Sequence, residues 1–71
     1  MYTTLRQELT PQELELVQLL AAGMTFEGIA ALYGCKHESV RKAFRKLYAK
    51  TGTSDRLEIA TRYAWEELAP K

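Results

Sequence analysis

A chain of 71 residues, 46% hydrophobic and 27% charged, with a formal charge of +1, has the apolar content of a folded protein and not of a disordered one. At this length it buries only roughly 60% of the surface that its unfolded form exposes, so its margin of stability is modest. One cysteine, Cys35, and one histidine, His37, exclude an internal disulfide and leave no ligand set for a structural zinc. No stretch approaches the ~18 apolar residues of a membrane span, and Met1 to Thr10 lacks the pattern of a signal peptide. A single domain over residues 1–71 is expected, in the cytoplasm, with no cofactor or metal.

The distribution of charge is more informative than its sum. Between Lys36 and Lys50, the six cations Lys36, Arg41, Lys42, Arg45, Lys46 and Lys50 face Glu38 alone, a net +5 that leaves −4 for the rest of the chain. A basic segment on an acidic body is the electrostatic footprint of a nucleic-acid reader. A solvated helix face is the plainer alternative.

Residues 1–8 form a lead-in. Thr10-Pro11-Gln12-Glu13 then reads as a helix start: a cap residue, proline at the first helical position, and a glutamate placed to reach back to the cap. Leu9 and Leu14 are spaced as a hydrophobic staple, Leu14, Val17 and Ala21 continue one apolar face, and Gly23 ends the helix. Thr25 caps a short second helix with Ile29, Leu32 and Tyr33 on its inner side, ending at Gly34.

A third, longer helix carries Val40, Phe44, Leu47 and Thr51 as one inward stripe and stops at Gly52. Thr53 or Ser54 caps the fourth, where Leu57, Ala60, Ala64 and Leu68 are expected to face inward, and Pro70 marks the end. No strand pattern competes, so the predicted class is all-α, with four helices.

Residues 26–45 meet the demands of a helix-turn-helix, in which two helices cross steeply through a very short turn. Ala30 is small where the next helix must approach, Gly34 occupies the turn, and Val40 pins the third helix to the core. At ~100° per residue, the opposite side of the third helix presents Glu38, Lys42, Arg45, Lys46 and Ala49. Long donors with few acids suit phosphates and base edges.

These residues resemble the LuxR/GerE-type helix-turn-helix domain of bacterial transcription regulators from Leu9 to about Leu68. The resemblance rests on Leu9, Thr10, Pro11, Glu13 and Glu15 at the start, and on Ala21, Gly23, Met24 and Thr25 at the first turn. Downstream it rests on Ile29-Ala30, on Ser39-Val40-Arg41, and on Lys50, Gly52 and Arg56. It implies a recognition helix at about 37–51 in the major groove of double-stranded DNA, with base-edge roles among His37, Glu38, Lys42 and Arg45. Phosphate roles fall to Thr25, Ser39, Arg41, Lys46 and Lys50, and Lys36 at the helix start belongs to the same surface. Departures from the family pattern are Phe26 and Gly28 in the second helix, Lys36 in place of a capping serine, and Ala43 in place of a phosphate-facing histidine.

Ile59 and Tyr63, one turn apart on the last helix, form a candidate self-association patch with Arg62 and Glu66. Pairing through this helix is a habit of the family, which makes residues 54–68 the expected homodimer element. Cys35 is expected to be a small core residue, and Tyr48 and Trp65 to seal core edges. No phosphate-cradling glycine loop, metal cluster or nucleophile–base pair suggests an enzyme. The leading expectation is therefore sequence-specific DNA binding as a bacterial, nucleoid-associated transcription regulator. The alternative is a protein-interaction module of the same fold that contacts RNA polymerase or another regulator. No membrane or small-molecule partner is expected.

Overall fold

The computed structural model describes residues 3–68, with only the backbone of Leu68, and contains five helices and no strand among them. They are α1 (Leu5–Glu8), α2 (Pro11–Ala21), α3 (Phe26–Tyr33), α4 (His37–Thr51) and α5 (Arg56–Leu68). The all-helical expectation is borne out, but α1 adds a turn of helix inside the stretch read as a lead-in. Pro70 lies outside the described residues.

Local chemistry accounts for the starts. Thr10 accepts from the Glu13 N–H at 3.2 Å, while Glu13 Oε1 accepts from the Thr10 N–H at 2.9 Å, closing a capping box on two amides that a helix cannot satisfy itself. Thr25 accepts from the Gly28 N–H at 3.1 Å. On α5 the cap is Asp55, which accepts from the Glu58 N–H at 2.9 Å, and not Thr53 or Ser54. Thr53 is instead drawn backward, its N–H donating to the Tyr48 carbonyl at 3.0 Å.

The ends of α2, α3 and α4 share one device. Gly34 takes the left-handed conformation at φ 66°, and the following Cys35 N–H turns back to the Ala30 carbonyl at 2.9 Å. Met24 and Thr53 make the corresponding bonds after Gly23 and Gly52. Cys35 is thereby used through its backbone; its side chain is exposed, correcting its expected place in the core.

The core consists of Leu5, Leu9, Val17, Ile29, Ala30, Val40, Phe44, Leu47 and Ile59. The predicted α4 stripe of Val40, Phe44, Leu47 and Thr51 is buried throughout. In α2 Val17 is buried and Leu14 half-buried, but Ala21 is exposed. In α3 the inner side is Phe26, Ile29 and Ala30, whereas Leu32 is 60% exposed. Ala30 faces inward because α4 needs a small residue at its approach, and that rotation carries Leu32 outward.

The last helix is turned opposite to expectation. Ile59 is fully buried and Tyr63 packs on the core, while Leu57 and Trp65 are 74% and 73% exposed. The polar residues on the buried side explain the choice. Glu66 accepts from the Leu5 N–H at 2.7 Å, and Arg62 donates to the Thr51 carbonyl at 2.8 Å and the Thr3 carbonyl at 2.6 Å. The start of α1 and the end of α4 have no intrahelical partners for these groups, and α5 supplies them.

Candidate nucleic-acid interface

The candidate surface is built on α4, whose buried stripe fixes its rotation and therefore its outward residues. Lys36, His37, Glu38, Arg41, Lys42 and Arg45 line one shallow depression over its first half. All six are exposed. No side chain caps the helix: Lys36 occupies the cap position without a side-chain bond, which leaves a cation beside the positive helix end, an arrangement that an anion relieves.

Ser39, Lys42, Ala43 and Lys46 continue the surface toward α2, lining a groove with Glu13, Leu16 and Leu47. Ala43 stands in its floor, half-buried. Thr25 is exposed at the start of α3; its oxygen accepts the Gly28 N–H, leaving its hydroxyl proton to donate.

The cations divide into two groups. Arg6 pairs with Glu67 at 2.6 Å, Lys50 with Glu13 at 2.8 Å, and Arg62 with Glu8 and Glu66 at 3.2 and 3.0 Å. Among the described residues Lys36, Arg41, Arg45, Lys46 and Arg56 form no ion pair, and the Lys42 contact with Glu38 is long, at 3.9 Å, and exposed on both sides. Such a pair contributes little. The unpaired cations thus cluster on and beside α4, and the paired ones hold the body together. Lys50, expected on the phosphates, is committed to Glu13.

The electrostatics of the paired group follow. The Lys50 ammonium and the Thr10 amide hold Glu13 below the ordinary carboxylate range. The Thr3 hydroxyl and the Arg62 guanidinium do the same for Glu8. Tyr33 donates to Glu15, which pushes its hydroxyl up to about 12 and ties α3 to α2. Burial raises Tyr48, which lies at an edge of the core as expected, tilted against Phe44 at 6.2 Å.

Of the expected self-association residues, Ile59 is withdrawn into the core, Tyr63 is half-buried, and Arg62 and Glu66 are only 18% and 10% exposed in their side chains. Trp65, expected to seal the core, is on the outer side with Leu57 and Thr61, at spacings of four along α5. Phe26 carries more than its standing as a departure foretold. It stacks on Phe44 with centroids 4.8 Å apart and reaches His37 at 6.2 Å. Its place three and four residues before Ile29 and Ala30 was the available signal.

Comparison with known proteins agrees with this architecture. Residues 7–63 match the family model GerE, described as bacterial regulatory proteins of the luxR family. No curated protein and no solved structure matches the chain. The matched span takes in α2, α3, α4 and the first half of α5, including every unpaired cation described above. The chain belongs to the luxR family of bacterial regulatory proteins and carries its DNA-binding helix-turn-helix.

Proposed function

We propose that this protein reads a specific operator in double-stranded DNA, with the exposed half of α4 in the major groove. The observation that carries this reading is the segregation of unpaired cations onto one helix. Lys42 and Arg45 offer donors without a competing strong ion pair, and a groove supplies the base-edge acceptors that arginine and lysine match. Lys36, Ser39, Arg41, Lys46 and Thr25 lie around them, suited to the phosphates on either side.

The operator reader acts as a two-fold dimer, so that two recognition helices meet half-sites about one helical turn apart. The contact falls on the outer side of α5, at Leu57, Thr61 and Trp65, in place of the Ile59 side. Two large apolar residues that expose most of their surface are the support for this assignment.

The test is a titration of a duplex pool at two salt concentrations, followed by sequencing of the bound fraction, for the protein and for Lys42→Ala/Arg45→Ala. Tight binding that falls steeply with salt, is lost in the double variant and enriches a two-fold repeat is the expected result. Binding that stays near the ~10⁻⁴–10⁻⁶ M of non-specific association, with nothing enriched, removes the operator reading in favour of a protein-interaction module.

A further inference from the structure

The starts of three helices meet around the ring of Phe26. Phe26 opens α3, His37 opens α4 and Arg56 opens α5. The ring is anchored to the core through Phe44, lies 6.2 Å from the His37 imidazole, and carries the Arg56 guanidinium over it at 5.9 Å. Arg56 is thus held at the end of α4 that begins the recognition surface, although it belongs to a different helix.

We propose that Arg56 is a phosphate contact of the DNA backbone and that Phe26 is the residue that positions it; the inference rests on the DNA-binding reading above. Arg56 is exposed and, among the described residues, pairs with no carboxylate, unlike Arg6, Lys50 and Arg62 on the body. Its neighbour Asp55 is occupied in capping α5. A cation in the first turn of a helix faces the positive end of the peptide dipoles, which disfavours the charge there in the free protein. An anion placed there reverses the sign. A guanidinium resting on an aromatic face is partly ordered before binding, and its planar fork matches two phosphate oxygens.

The experiment measures affinity against salt for the duplex that the wild-type protein selects, with thermal unfolding of each variant alongside. Arg56→Gln is expected to reduce the slope of log affinity on log salt by about 1, weakening different sequences about equally, with the unfolding midpoint unchanged. Arg56→Lys is expected to keep the slope. In Phe26→Leu, adding Arg56→Gln is expected to remove less affinity than it does in the wild-type background, which a merely structural role for Phe26 does not produce. A wild-type slope in Arg56→Gln, beside a reduced one in the control Lys46→Gln, overturns the proposal and leaves the operator reading standing. Absence of DNA binding by the wild-type protein overturns both.

Discussion

Lys50 Nζ lies 2.8 Å from Glu13 Oε1, the same carboxylate oxygen that accepts the Thr10 N–H at the start of α2. One oxygen thus joins the end of α4 to the cap of α2, and a lysine that the sequence assigns to DNA becomes a clasp between helices. The expected result for Lys50→Gln is a loss of about 0.5–1 kcal/mol in stability, since both side chains are partly exposed. The salt slope of DNA binding should stay near the wild-type value. Parallel urea unfolding and salt-dependent DNA titration check the two halves of this statement.

Acid should weaken the fold through Glu8 and Glu13. Both are held below the ordinary value of 4.5 in the folded state, so each contributes stability that is present above that value. It is lost as the pH falls through the lower folded value. Glu8→Gln/Glu13→Gln should therefore be less stable near neutrality, and its unfolding midpoint should vary less with pH below 4.5 than the wild-type midpoint does. Equal pH dependence of the two proteins would remove these carboxylates as the source.

Gly28 sits inside α3, and a methyl group there would meet Met24 Cε and Thr25 Oγ1 at 3.5 Å, ordinary contact distance. Gly28→Ala is therefore expected to stabilise the protein by about 1 kcal/mol through helix propensity. For a domain of this size that corresponds to roughly 4–8 °C in Tm. Differential scanning calorimetry reads it directly, and a fall in Tm would contradict it.

The two sides of α5 should separate in their effects. Ile59→Ala opens a cavity at a fully buried site and should cost about 2–4 kcal/mol. Leu57→Lys/Trp65→Lys should leave monomer stability within about 0.5 kcal/mol, as for surface changes in general, while abolishing in sedimentation the self-association proposed above. A wild-type protein that sediments as a monomer removes the dimer proposal, and a double variant that sediments as a dimer alongside a dimeric wild type places the contact elsewhere.

How far the residues announced this arrangement varied along the chain. Around α4 the sequence was explicit, because Val40, Phe44, Leu47 and Thr51 recur with a clean helical period and leave the basic residues only one side to occupy. The glycine-ended helices were equally legible, since left-handed backbone demands that residue. In α5 two apolar sides compete, with Leu57 and Trp65 on one and Ile59 and Tyr63 on the other, and periodicity gives no reason to prefer either. The decision is made by Arg62 and Glu66, which satisfy backbone groups of Thr51 and Leu5, and such partners are distant in the chain. The commitment of Lys50 was hidden for the same reason: Glu13 is thirty-seven positions away.

The bonds from α5 to Thr3 and Leu5, with the Arg6–Glu67 pair beside them, join the earliest described residues to nearly the latest. The Leu5 amide and the Thr3 carbonyl, at the start of the domain, therefore find their partners only on the last helix. Leu5 can pack on the core formed with α2, α3 and α4, but the polar groups that begin α1 stay without these partners until residues 62–67 join. The apolar core closes with Ile59, whereas the polar seam that pins α1 closes only with Arg62 and Glu66, so the two layers of the fold are completed by different turns of the same helix.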